Sequence, residues 1–143
     1  MKLFYSLKNK FPNKDRNLKL LDSFVTSSTN SESLSKFKTY IRNNENSIDG
    51  ILCNSTLKLD LAKIVEELGI KNKEFLVFDI GHEVCEYIKK NIITSAIGQD
   101  PFGQGYSPII YMYNYLVTKQ KPKELVWSRL NIVDTENVNR ILN

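Results

Sequence analysis

ITSAIGQDPFGQGY, running from Ile93 to Tyr106, holds the junction that decides the fold. Ile93, Ser95 and Ile97 alternate with Thr94, Ala96 and Gly98, the period of a short strand, and Gln99-Asp100-Pro101 ends that strand abruptly. A helix begins there. Asp100 is placed to cap it, and Pro101 fits the first helical position, where a missing N–H costs nothing. Tyr106, Ile109, Ile110, Tyr113, Leu116 and Val117 then recur at helical spacing. Gln99 is left at the strand's carboxyl end. Small ligands bind at that edge of an open parallel sheet, so its amide is a candidate contact.

Upstream of the junction the chain reads as repeated helix and strand units. Leu3, Phe4, Leu7 and Phe11 suit a first helix ended by Pro12, and Asn17 to Val25 reads as a strand. Thr29 and Glu32 form a capping box for a helix from Asn30 to about Asn44, with Leu34, Phe37, Tyr40 and Ile41 inward. Ser47 to Cys53 is the next strand, nearly all apolar after Gly50, and it runs into Asn54-Ser55-Thr56. Leu57, Leu61, Ile64, Val65 and Leu68 share one face of the following helix, which Gly69 stops. Glu74 to Ile80 is a third strand with Asp79 near its carboxyl end. The helix from Gly81 to Lys90 turns Val84, Cys85 and Ile88 inward. Downstream of the junction, Pro122 breaks the chain, Leu125 to Val133 is a last extended piece, and Asp134 caps a closing turn. Strand and helix alternating in this way predict an α/β domain, mainly parallel, with helices on both faces of the sheet. The 143 residues form one domain.

Composition excludes several classes. With 41% hydrophobic and 10% aromatic residues the chain has enough apolar side chains for a core. No apolar run reaches the roughly 18 residues that cross a bilayer, and no secretory segment opens the chain, so the expectation is a cytoplasmic product without membrane contact. The net charge is +4, but the basic residues are scattered, which speaks against direct nucleic-acid binding by this segment. Two cysteines, Cys53 and Cys85, make neither a disulfide framework nor a zinc site, and both fall in apolar patterns that suit buried thiols.

Three strand ends carry Asn54, Asp79 and Gln99. A carboxylate that only accepts and two carboxamides that both give and accept suit neighbouring hydroxyls, which do both. That chemistry points to a polyol such as a sugar. His82 and Cys85 stand three apart on a helix, but no orienting acid accompanies them, so no catalytic pair is expected. With a single histidine no metal site is expected either. Gly103-Gln104-Gly105 departs from a dinucleotide loop, because Pro108 stands where the third glycine belongs, and no cofactor is implied. Trp127 reads as a core or interface residue.

Four stretches, IDGILCNS from Ile48, FLVFDIG from Phe75, the junction itself and VDTENV from Val133, occur in the order and spacing of one family. They resemble the effector-binding module of lactose-repressor-type (LacI/GalR) transcription regulators, which shares its fold with type I periplasmic sugar-binding proteins. The resemblance implies two lobes closing on a ligand in the cleft between them. Transferred by motif, Asn54, Asp79 and Gln99 become ligand contacts of the second lobe. It further implies that residues 102–119 form a helix crossing back onto a first lobe.

Such a module is roughly twice as long as this chain, which therefore resembles its C-terminal lobe only. DNA would be contacted through a helix-turn-helix lying elsewhere, and the expected partner of the lobe is a small-molecule effector. The alternative within the fold is an extracytoplasmic sugar-binding protein of a transport system. A crossover helix without its usual cover also implies a homo-oligomer.

Overall fold

The structure, a computed structural model, describes residue 21 and residues 30–141. The helix read over Met1 to Phe11, the strand read over Asn17 to Val25 and the Thr29 half of the capping box lie outside the described residues, Leu21 apart. Described in order are α1 (Asn30–Asn44), a 3₁₀ turn (Glu45–Ser47), β1 (Gly50–Cys53), α2 (Lys58–Glu67) and β2 (Glu74–Phe78). After these come α3 (His82–Lys89), β3 (Ser95–Gly98), α4 (Pro101–Thr118), β4 (Asn131–Asp134) and α5 (Val138–Ile141). The domain is α/β, as its alternation predicts.

The sheet order is β1-β2-β3-β4, with β1, β2 and β3 parallel and β4 antiparallel to β3. Register places Cys53, Val77, Ala96 and Val133 side by side in one row, and all four are buried. They share a single apolar cluster with Leu61, Ile64 and Val65 of α2 and Val84, Cys85 and Ile88 of α3. Because β1, β2 and β3 are neighbours in chain order, right-handed crossovers put α2 and α3 on the same face. α1 adds Phe37 and Ile41 to the cluster, with Leu34 and Tyr40 packed against it, the face its periodicity predicts.

The strands are shorter than the apolar runs that announce them. β1 begins at Gly50 because Glu45–Ser47 tightens into a 3₁₀ turn after α1, leaving Ile48 to anchor in the core. At the same edge of the sheet, just before β3, Thr94 adds a side-chain bond to its backbone bond with β2. Its hydroxyl accepts from the Phe75 amide at 2.9 Å, while its own amide donates to the Phe75 carbonyl at 2.9 Å. The extended piece expected over Leu125 to Val133 is ordered as strand only from Asn131, where pairing with Gly98 begins. Residues 119–130 run exposed and without a partner strand.

Candidate functional site

Three physical decisions build the edge where β1, β2 and β3 end. At the end of β2, Asp79 takes the left-handed conformation, φ 65°, which Asp tolerates better than most residues. Its amide donates to the Ile97 carbonyl at 2.9 Å, so the kink is tied to β3. At the end of β3, Gly98 is packed so closely that a Cβ there would collide with the end of the Ile80 side chain. Beyond it, the Asp100 carboxylate accepts from the Gly103 amide at 2.8 Å and caps α4, with Pro101 in the first turn. That cap fixes where Gln99 leaves the strand and where Gln104 returns, as the Asp-Pro pair predicts.

The polar side chains meet there in a chain of hydrogen bonds. Gln99 Nε2 donates to Asp79 Oδ1 at 2.8 Å, and Gln104 Nε2 donates to Gln99 Oε1 at 3.4 Å. On the opposite side Lys58 Nζ stands 3.7 Å from Asp79 Oδ2. That separation is an ion pair without a hydrogen bond, so the carboxylate oxygen keeps its capacity to accept. The Lys58 side chain is only 16% exposed and that of Asp79 58%, which leaves the carboxylate facing solvent above a sheltered cation. Asp79, Ile80, Gly98, Gln99, Pro101 and Gln104 line a depression of about 190 Å³.

Asp79 and Gln99 are thus brought into direct contact. Asn54 follows β1 on the same edge and is exposed, but it does not line the depression. Two strand spacings, roughly 10 Å, separate β1 from β3, which sets Asn54 apart from the Asp79–Gln99 pair. Lys58 and Gln104 were missed by sequence reasoning. Lys58 opens a helix dominated by its apolar stripe, and its only signal in the sequence is a cation four residues after Asn54. Gln104 lay inside a glycine pair that recommended a different chemistry.

The other candidate residues lie outside the Asp79–Gln99 depression. Cys85 is fully buried while His82 is exposed on the first turn of α3, so the two do not face one another. Burial pushes both the Cys53 and the Cys85 thiols above their usual range, opposite to what a nucleophile needs. Among the described residues no group of His, Cys, Asp and Glu is arranged to hold a metal, and no helix is long and apolar enough to cross a membrane. Trp127 is 80% exposed and so is not a core residue. It lines a larger depression of about 370 Å³ with Tyr111, Pro122, Lys123, Leu125 and Val126, none of which lines the depression at Asp79 and Gln99.

A mainly parallel sheet with convergent polar groups at its carboxyl edge defines a ligand-binding lobe of the open α/β class. The chain belongs to the family of the periplasmic binding protein domain, whose model matches residues 6–121. No curated protein matches it by sequence. Among solved structures it is similar to an ABC transporter solute-binding protein from Agrobacterium vitis with bound alpha-D-tagatopyranose. That pair shares 21% identity at a TM-score of 0.72, over 96% of this chain and 45% of that one. A second solute-binding protein from Agrobacterium vitis, with bound D-fucose, matches at 16% identity and TM-score 0.64, over 75% and 37%. A protein assigned as a LacI transcriptional regulator from Bacteroides fragilis matches at 13% identity and TM-score 0.62, over 75% and 37%. The chain spans less than half the length of these structures.

Proposed function

We propose that the chain is a sugar-binding lobe whose polar edge, Asp79, Gln99 and Gln104 with Lys58 beside them and Asn54 at the margin, takes the hydroxyls of one face of a monosaccharide. The observation that carries this reading is the hydrogen-bonded chain from Gln104 through Gln99 to Asp79. It presents a charged acceptor and amides that give and accept side by side, the pattern adjacent hydroxyls require. The sugars bound by two of the similar structures support the same ligand class. The role is binding, not turnover, because no nucleophile stands beside a base at this edge.

As the effector-sensing part of a lactose-repressor-type regulator, the lobe would work in the cytoplasm, with DNA contacted by a domain outside this chain. The transport reading, a fragment of an extracytoplasmic solute-binding protein, is favoured by the solute-binding proteins among its structural neighbours. Cell fractionation separates the two, since the first keeps the protein in the cytoplasm and the second places it outside the membrane.

An open edge making three or four hydrogen bonds supports about −4 kcal/mol, a Kd on the order of 1 mM. Calorimetry of the whole chain against tagatose, fucose, arabinose and a polyol panel should give saturable heats in that range for at least one sugar. Featureless dilution heats across the panel would remove the sugar reading.

A further inference from the structure

The inference concerns Lys58 and rests on the sugar reading of the same edge. In the pairs Lys36–Glu32, Lys38–Glu67, Lys89–Glu86 and Lys90–Glu66 the ammonium closes to 2.6–3.0 Å of its carboxylate, and the lysine side chain is 38–66% exposed. Lys58 reverses both properties. Its side chain is only 16% exposed, yet Nζ stops 3.7 Å from Asp79 Oδ2, and among the described residues nothing accepts a hydrogen bond from it. An ammonium carries three N–H donors, and sheltering it from water without an acceptor costs free energy. The donors are not sealed off. No polar side-chain atom of the described residues is both fully buried and without a hydrogen bond, so this ammonium still opens to solvent and to a ligand.

The carboxylate is divided to match. Oδ1 accepts from Gln99 at 2.8 Å on the side of the depression, which leaves Oδ2 on the side of Lys58 and the start of α2. A span of 3.7 Å is too long for a direct bond, but an oxygen lying off the line between the two atoms reaches both at about 2.8 Å. That oxygen has to accept from nitrogen and donate to oxygen. A hydroxyl does both; an ether, a fluorine or an ionised carboxylate only accepts. A ligand anion is further disfavoured, because it would meet Asp79 Oδ2 as closely as Lys58 Nζ, and the pair carries no net charge.

We propose that Lys58 Nζ and Asp79 Oδ2 form a subsite for one free sugar hydroxyl, which makes Lys58 a specificity-determining residue of the lobe. The sugar then spans Asp79, with Gln99 and Gln104 on one side of it and Lys58 on the other.

NMR titration of the whole chain with tagatose, fucose and arabinose, each beside its monodeoxy derivatives, tests this subsite. Lys58→Met, which keeps the sheltered stem, should weaken the intact sugar by about 10-fold. It should cut by about the same factor the penalty for removing one particular hydroxyl, and leave the penalties for the other hydroxyls unchanged. A lysine that only steadied the fold would lower every affinity alike. On the unmutated chain the Lys58 ε-methylene signals should shift along the same saturation curve as the Asp79 amide, a readout that needs no variant to fold. Equal deoxy penalties in both proteins, ε-methylene signals that stay still, or galacturonate bound more tightly than the neutral sugars would overturn the inference and leave the sugar reading in place. Absence of saturable shifts with every sugar would overturn both.

Discussion

Phe75→Ala is expected to cost the lobe about 3–5 kcal/mol, while Phe102→Ala is expected to stay within about 0.5 kcal/mol of the parent. The two residues share a chemistry and differ in place. Phe75 is 1% exposed on β2, between β1 and β3, and belongs to the cluster that joins the sheet to α2 and α3. Deleting its ring removes apolar burial and leaves a cavity that the surrounding side chains close only in part. Phe102 is 76% exposed on the first turn of α4, stacked on Tyr106 at 5.5 Å, and its loss opens no cavity. Against a total stability of about 5–15 kcal/mol, the first change removes a large fraction and the second almost none. Urea denaturation followed by circular dichroism distinguishes them, with the Phe75 variant's midpoint falling by about 1–3 M at slopes usual for small domains. Equal midpoints for the two variants would mean that β2 is not the centre of the core.

Asp79→Asn is expected to weaken sugar binding by on the order of 10- to 100-fold, because bonds to a charged acceptor contribute about 1.5–3 kcal/mol. Asn is the informative replacement, since it also tolerates the left-handed backbone that Asp79 adopts at φ 65°. Ala would add a backbone cost of roughly 1 kcal/mol and confuse stability with recognition. The Asn amide loses the charge that Lys58 faces at 3.7 Å, and it offers Gln99 one acceptor in place of two. The Asp79 side chain is 58% exposed, so the variant should unfold at nearly the parent temperature. Calorimetric titration of parent and variant with the same sugar checks the prediction. Unchanged affinity would remove Asp79 from the site and leave its kink a purely structural feature.

Helical periodicity was the most legible part of the chain. The inward faces of α1, α2 and α3 follow from spacing alone, because each has one apolar stripe and one core to bury it in. Strand ends were less legible. Apolar residues such as Ile48 and Ile93 belong to the core without belonging to a strand, so the runs overstate β1 and β3. The direction of β4 could not be read, since four residues, NIVD, pair equally well either way until Gly98 meets Asn131. At the site, the polar residues at strand ends were visible because they interrupt apolar runs. The hydrogen bond that joins Asp79 to Gln99 was visible only in the register of β2 on β3 and in the kink that turns Asp79 toward Gln99. Lys58 was hidden for a different reason. A lysine on the first turn of an amphipathic helix ordinarily faces water, and only the fold brings this one, largely buried, to a carboxylate.

Amide chemical-shift mapping of the whole chain during titration with tagatose, fucose or whichever sugar gives calorimetric heats locates the sugar on the lobe. The largest shifts are expected on the amides of Asp79, Ile80, Gly98, Gln99 and Gln104 and on the side-chain amides of the two glutamines, the groups at the depression between β2 and β3. Shifts centred instead on Tyr111, Val126 and Trp127, around the larger depression, would contradict that placement.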